Sequence, residues 1–303
     1  INKSLDDLTA GGSTAGGAGI ELAYHIAKEN LIKKGNNRVI LVTDGDFNVG
    51  PSSHSELYDI IEEKRKTGIY LTVLGFGRGN LKDSTMELLA DKGNGNYAYI
   101  DSMLEAKKVL VNEIGATLIT IAKDVKIQVE FNPSIVKSYR LIGYENRILR
   151  IEDFDDDNKD AGEIGAGHTV TALYEIIARS KNDKIEKSLK YSRTTVKQDA
   201  LQDLEIATLK IRFKPPESDQ SQLLVHPIKN NIIPLKETST DFRFASAVTE
   251  FGLLLRNSKY RGIASYNAVI KRAKESMGKD TEGYRNEFIF IVNRAQKLSD
   301  TIN

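Results

Sequence analysis

The sequence predicts an α/β fold: a parallel sheet with helices on both faces, followed by a β-sandwich and a C-terminal helical region. In the first 120 residues, short apolar runs alternate with helical patterns, which is typical of βαβ units. From residue 121 onward, apolar and polar residues alternate as they do in half-buried antiparallel strands. After Pro234, two apolar stripes recur at helical spacing, so the chain should end in helices.

These boundaries divide the chain into residues 1–120, 121–234 and 235–303, and we expect the last segment to pack on the sandwich.

With 303 residues, 40% hydrophobic and 28% charged, the chain can bury the cores of several domains. Its 43 basic and 42 acidic residues argue against a general nucleic-acid or membrane-surface binder. No stretch approaches the ~20 apolar residues of a membrane span. Cysteine is absent, which excludes disulfides and thiolate zinc sites.

The strand predicted at residues 38–43 organises the first segment. Its apolar run, Val39 to Val42, is unbroken, so we expect this strand to be buried on both faces of a parallel sheet. Asp44 follows directly, at the carboxyl end of the strand, where ligands bind in open α/β sheets. Upstream, a glycine-rich loop carries Ser13 and Thr14. An aspartate and a threonine in these positions suggest oxygen ligands for a hard cation such as Mg²⁺.

The remaining elements follow from periodicity and capping signals. Ser102 and Glu105 have the spacing of a capping box, which predicts a helix that begins there. Further strands are predicted at residues 69–76, 97–100, 125–131, 139–142, 146–151, 170–178, 204–213 and 222–227, and a middle C-terminal helix at 266–277.

Three segments, GGSTAGGAGIELAY, RVILVTDGDFNVG and YLTVLGFG, resemble a von Willebrand factor type A domain. More specifically, the chain resembles the bacterial YfbK-type family, in which this domain precedes a C-terminal domain of unknown function. DAGEIGAGHTVTALYEI carries the second part of the resemblance. The resemblance implies a Rossmann-like sheet with a metal-ion-dependent adhesion site built from an Asp-x-Ser-x-Ser loop, a threonine and an aspartate. Thr14 matches the threonine and Asp44 the aspartate, and Ser13 is a further candidate ligand.

The sequence departs from this family pattern in one respect. It contains no Asp-x-Ser-x-Ser motif. In the family that loop follows the opening strand, so we expect an incomplete type A domain whose opening strands would lie before Ile1. Thr14 and Asp44 alone offer few oxygen ligands. We therefore expect Mg²⁺, or alternatively Mn²⁺ or Ca²⁺, to bind weakly or not at all to this chain.

Other interpretations of these residues remain open. Asp44 is also typical of a turn after a strand, and Ser13 and Thr14 are typical helix caps. The acidic run from Asp153 to Glu163 does not match a calcium-binding EF-hand loop, because Asn158 stands where glycine is required. A solvated hairpin loop is the better interpretation of that run.

The resemblance implies a non-enzymatic protein-interaction or adhesion module, in which a partner's carboxylate completes the metal coordination. The alternative is a metal-independent structural scaffold of a cell-envelope assembly. An enzymatic interpretation would need a perturbed acid–base pair, for which the sequence offers only Asp44 and Asp46. The family resemblance favours the bacterial cell envelope, either the periplasm or the surface, including a lipoprotein. Neither nucleic acid nor an integral membrane span is expected.

Overall fold

Three parallel strands form the first sheet. In the computed structural model they are β1 (Asn37–Thr43), β2 (Ile69–Gly75) and β3 (Tyr97–Tyr99), in the order β1-β2-β3. Thr43 lies opposite Gly75, and Gly75 lies opposite Tyr99, so the three strands end in register. The structure describes residues 3, 6, 16–33, 35–44, 54–77, 82–180, 182–183, 187–188, 190–191, 193–194, 196–198, 200 and 204–302.

Helices flank this sheet on both faces, as predicted. They are α1 (Gly16–Glu29), α2 (His54–Arg65), α3 (Asp83–Lys92), α4 (Met103–Lys107) and α5 (Ile114–Leu118). Buried residues of α1, α2 and α3 pack on one face and form a core with β1 and β2, namely Ile20, Tyr24, Val39, Leu57, Ile61, Ile69, Leu71, Val73, Met86, Leu89 and Ala90. On the opposite face, Leu74 and Ile100 pack against Val109, which lies in a π-helical turn after α4. Ser102 caps α4 as predicted, because its Oγ accepts a hydrogen bond from the Glu105 backbone N–H at 3.2 Å.

The expectation that β1 is buried on both faces is wrong. Val39 is only 8% exposed, but Ile40 is 47% and Val42 62% exposed. Successive side chains of a strand point to opposite faces, so Val39 faces the α1–α3 core and the other two face away from it. Among the described strands β1 pairs only with β2, and β2 is the strand that is buried on both faces.

Antiparallel strands follow, which confirms this part of the prediction. They are β4 (Thr120–Phe131), β5 (Val136–Ile142), β6 (Gly162–Gly165), β7 (Leu173–Ala178), β8 (Lys187–Ser188), β9 (Arg193–Thr194), β10 (Glu205–Lys214) and β11 (Gln222–Lys229). Four of them form a sheet in the order β11-β10-β4-β6, while β5 pairs with β7 and β8 pairs with β9.

The strand predicted at residues 146–151 is absent from the described structure. The chain forms short 3₁₀ turns there instead, at Glu145–Arg147 and Ile151–Asp153. The alternating pattern was misleading because its apolar side chains are not buried: Ile148 is 69% exposed. Arg150 Nε also donates a hydrogen bond to Asp153 Oδ2 at 3.1 Å, which stabilises a turn rather than an extended strand.

Three helices end the chain, as predicted. They are α6 (Thr240–Leu255), α7 (Tyr266–Glu275) and α8 (Tyr284–Ile302). Their shared core consists of Ala247, Phe251, Val269, Ala273, Ile289 and Val292. The Arg140 guanidinium of β5 lies 4.1 Å from the centre of the Tyr260 ring, which joins the α6–α7 connection to the antiparallel strands. No helix in the described ranges has both the length and the apolar character of a membrane-crossing segment.

By its contacts, the chain forms two compact units. The first comprises Ile1–Ile127, Leu149–Thr169 and Ile211–Leu224, and the second comprises Gln128–Ile148, Val170–Lys210 and Val225–Asn303. The parallel sheet and its helices belong to the first unit, and helices α6 to α8 belong to the second. The division of the chain at residues 120 and 234 stays a prediction.

We predict that Leu71→Ala costs about 2–5 kcal/mol of unfolding free energy, because Leu71 is fully buried in the first core and its truncation leaves a cavity. The matched variant on the exposed face of β1, Ile40→Ala, should cost about 1 kcal/mol or less. Urea unfolding followed by circular dichroism measures both. Equal costs for the two variants would contradict the assignment of β2 as the buried strand.

Candidate functional site

At the carboxyl edge of the parallel sheet, polar side chains follow the two outer strands, β1 and β3. The Phe76 backbone N–H donates to the Thr43 carbonyl at 2.8 Å, and the Ile100 N–H donates to the Gly75 carbonyl at 2.7 Å. These bonds continue the sheet one residue beyond the strands. Asp44 and Asp101 emerge just past them, and both are exposed. The edge therefore presents two carboxylates to solvent.

Asp44 lies beside the exit of β2. Gly77 has a φ of 96°, a left-handed conformation that favours glycine. A Cβ atom placed at Gly77 would lie 3.4 Å from the Asp44 Cβ, so the backbone of residue 77 passes directly beside this side chain. The Tyr99 hydroxyl donates to the Gly77 carbonyl at 2.7 Å and holds the turn in place. The sequence analysis did not identify Tyr99 as a residue of this site, although its position at the end of the third strand places it at the carboxyl edge of the sheet.

The two carboxylates lie after strands that are not neighbours in the sheet. Asp44 follows β1 and Asp101 follows β3, with β2 between them. Neighbouring strands are about 4.8 Å apart, so the two backbone positions are roughly 10 Å apart. Within the described part of the chain, no group of three or more His, Asp or Glu side chains is placed to hold a metal ion. Thr14 and Ser13, the other predicted ligands, lie outside the described residues.

A half-buried polar cluster lies at the opposite end of the same strands. Arg38, near the start of β1, donates from Nη1 to the Thr72 hydroxyl at 2.7 Å, and its guanidinium lies 5.6 Å from the centre of the Tyr70 ring. Its Nε is buried and has no hydrogen-bond acceptor among the described residues. Burial lowers the pKa of Arg38, although an arginine remains charged in a folded protein.

Glu163 of β6 belongs to this cluster and is its most perturbed group. Burial, and then the negative charges of Asp124 and Asp160, raise the pKa of Glu163 to about 8. Lys123 and the Asp124 backbone amide act in the opposite direction. The Asp124 amide is close enough to influence Glu163 but does not form a hydrogen bond with it at good geometry. Neither carboxylate oxygen of Glu163 has a hydrogen-bond partner in the described structure. Sequence reasoning treated Glu163 as part of an acidic, solvated run and gave no sign of its burial.

Most of the other acidic side chains of that run form ion pairs. Arg212 Nη2 lies 2.9 Å from Asp157 Oδ1, and the Ser221 hydroxyl donates to the same oxygen at 2.5 Å. Arg65 Nη1 lies 2.6 Å from Asp160 Oδ2. These bonds tie the run to β10 and to α2, so its charge is largely neutralised by basic side chains of the same unit.

Residues 116–298 match the family model described as Uncharacterized protein YfbK, C-terminal, which covers more than half of the 303 residues. The chain belongs to the YfbK family. Uncharacterized protein YfbK of Escherichia coli (strain K12) is 44% identical over 300 residues, which are 99% of this chain and 52% of that protein. The chain therefore spans about half the length of the curated relative it matches. These findings confirm the resemblance to the YfbK-type family.

Two solved structures are similar to this YfbK-family chain at low sequence identity. One is von Willebrand factor type A from Catenulispora acidiphila, with 14% identity, a TM-score of 0.41, and coverage of 93% of this chain and 65% of that one. The other is the human COPII-coat protein Sec24c, with 10% identity, a TM-score of 0.34, and coverage of 86% and 36%. Both TM-scores are below 0.5, so the fold assignment rests on the strands and helices of the chain itself.

We predict that Glu163→Gln stabilises the protein increasingly as the pH rises from about 5 to about 8. A glutamate in an unfolded chain has a pKa of about 4.3, so a folded value of about 8 means that ionisation opposes folding. The stability that neutral Glu163 provides is complete below about pH 4 and is lost as the pH rises through about 8. The slope for one proton is at most about 1.4 kcal/mol per pH unit.

Thermal unfolding of wild type and Glu163→Gln over this pH range measures the effect. Glu217→Gln is the matched control, because Glu217 is exposed and the substitution removes the same charge. If the unfolding temperatures of Glu163→Gln and wild type differed by the same amount at every pH, that result would contradict the burial of an unpaired carboxylate at this position.

Proposed function

We propose that the carboxyl edge of the parallel sheet is a protein-interaction site with Asp44 at its centre. The position of Asp44 is the observation that carries the proposal: it is exposed, follows β1 directly and lies beside the Gly77 turn. Ligands of open α/β sheets bind outside the carboxyl ends of the strands. A partner protein can bind there without any covalent step, so the proposed activity is non-enzymatic interaction or adhesion.

We further propose that this interaction depends on a divalent cation when the type A domain includes its Asp-x-Ser-x-Ser loop. Asp44 would provide a carboxylate ligand and Thr14 a hydroxyl ligand, with Ser13 as a further candidate. Carboxylate and hydroxyl oxygens suit hard cations, so Mg²⁺ fits, with Mn²⁺ and Ca²⁺ as alternatives. The cation would attract a carboxylate of the partner protein. With these few protein ligands, we expect weak metal binding or none in this chain.

A metal-independent scaffold of a cell-envelope assembly is the second candidate. The observation that favours it is β11, in which all eight residues are exposed, including Leu223, Leu224 and Val225. Among the described strands, β11 lies at the end of its sheet and pairs only with β10. The backbone groups along the outer edge of such a strand can pair with a strand of another protein.

Titration with Mn²⁺ tests the cation proposal even if binding is weak, because this paramagnetic ion broadens NMR signals of nearby nuclei. We expect selective broadening of the amide signals of Asp44 and Gly77. The broadening should disappear in Asp44→Asn, which keeps the size of the side chain but removes its charge. Asp219→Asn is the control, because its side chain is fully exposed and the variant loses the same charge.

Broadening that persists in Asp44→Asn, or that centres on the acidic run near Asp157, would contradict the assignment of Asp44. The partner proposal has a separate test. For a form of the protein that includes the Asp-x-Ser-x-Ser loop, proteins captured from a bacterial envelope extract should be lost both in EDTA and with Asp44→Asn. Capture that survives both treatments would favour the metal-independent scaffold.

A further inference from the structure

A basic cleft lies in the second unit, between the 3₁₀ turn Leu235–Glu237 and helices α6 and α7. Its volume is about 540 Å³, which is in the usual range for ligand sites. Four basic side chains line it: Lys236 from the turn, Arg243 from α6, and Lys271 and Arg272 from α7. Glu275 is the one acidic residue of the lining that the structure describes. Positive charge therefore dominates a concave surface of a chain whose net charge is only +1.

The two arginines of the cleft are held in place by bonds within the protein. Arg243 donates from Nη1 to the backbone carbonyls of Lys236, at 3.3 Å, and Thr238. It thereby fixes the turn that carries Lys236 against α6. Arg272 donates from Nη1 to Glu250 Oε2 at 2.6 Å, in a part-buried ion pair. Because the positions of Arg243 and Arg272 are fixed in the free protein, little conformational entropy of these side chains is lost when a ligand binds.

Arg272 retains donors for a ligand. A guanidinium has five N–H donors, and among the described residues this side chain uses only Nη1 in a hydrogen bond. Its Nε and Nη2 groups present the planar arrangement that binds a carboxylate through two parallel hydrogen bonds. The ion pair with Glu250 therefore orients Arg272 and leaves its Nε and Nη2 donors available for a ligand.

The two lysines provide charge that the protein itself hardly neutralises. Lys236 is exposed, and its ammonium has no hydrogen-bond or ion-pair partner in the described ranges. Lys271 lies 4.0 Å from Glu275, and the two side chains are 77% and 64% exposed. An exposed ion pair of this kind contributes little energy, so a ligand carboxylate can compete with Glu275 for Lys271.

We propose that the basic cleft binds an acidic peptide segment of a partner protein. The exposed side chain of Leu235 and the methyl group of Ala268 also line the cleft, so a peptide with an apolar residue between its acidic residues complements the whole surface. The four cations are confined to one cleft of limited volume, whereas a nucleic acid would need a basic stripe that follows its phosphates. The residues of the basic cleft differ from those of the site proposed around Asp44, and peptide binding in the cleft requires no metal ion.

A fluorescein-labelled peptide with four glutamates around a central leucine tests this proposal by fluorescence anisotropy. We expect saturable binding that weakens as NaCl is raised from about 0.05 M to about 0.5 M, because salt screens exposed charges. The same peptide with glutamine in place of each glutamate should not bind. Binding by the glutamine peptide with equal affinity would overturn the proposal.

Variants then locate the site. Lys236→Gln combined with Lys271→Gln should raise the Kd about tenfold, because two exposed charge pairs are lost. The matched control, Lys279→Gln combined with Lys297→Gln, removes two exposed lysines outside the cleft lining and should leave the Kd unchanged. Equal weakening in both double variants would show only non-specific attraction and would overturn the assignment to this cleft.

Arg272→Lys provides a second, independent measurement. It keeps a positive charge for Glu250, so the fold should persist, but it removes the planar pair of donors. We expect weaker peptide binding with an unchanged thermal unfolding temperature.

An oligothymidylate or anionic phospholipid vesicles, added as competitors, distinguish other ligand classes. Tighter binding of either one, lost in the Lys236 and Lys271 double variant, would overturn the assignment to a peptide.

Discussion

The burial of β2 is the constraint on which the first unit depends. This strand pairs with β1 on one side and β3 on the other, and only Tyr70 among its seven residues is partly exposed. A strand without polar alternation can be stable only if both of its faces are covered. Ile69, Leu71 and Val73 pack against the helices of one face, while Leu74 packs with Ile100 and Val109 on the other. The common end of the three strands, where Asp44 lies, follows from this arrangement.

The first unit also buries charge that its apolar core does not require. Glu163 and Arg38 each contain buried atoms without a hydrogen-bond partner in the described structure. The pairing of β4 with β6 shifts register between Ala122 and Val125, and Asp124 there has a φ of 50°. This irregular pairing places a second carboxylate close to Glu163, which adds to the effect of burial on its pKa. Such a cluster weakens the fold at neutral pH, because folded Glu163 takes up a proton that a glutamate of the unfolded chain does not bind at that pH.

The two proposed interaction sites use opposite charges and different physical principles. Asp44 offers a carboxylate at a strand end, where the open edge of a sheet leaves room for a ligand. The basic cleft offers a preorganised arginine, Arg272, whose position is set by Glu250. The described residues of each surface lie within one compact unit, so neither proposal depends on how the units are arranged. Both fit a protein that binds other proteins.

The sequence by itself determined the type and order of most elements. Apolar runs located β1 and β2, helical stripes located α6 and α8, and the residue after β1 placed Asp44 at a strand end. These features depend on neighbours along the chain, which periodicity and capping report directly. Only the tertiary structure decided that β1 exposes Ile40, that the carboxylate oxygens of Glu163 are buried, and that Lys236 and Arg272 line one cleft. Burial and charge neighbours arise from contacts between segments distant in sequence, and local patterns carry no information about those contacts.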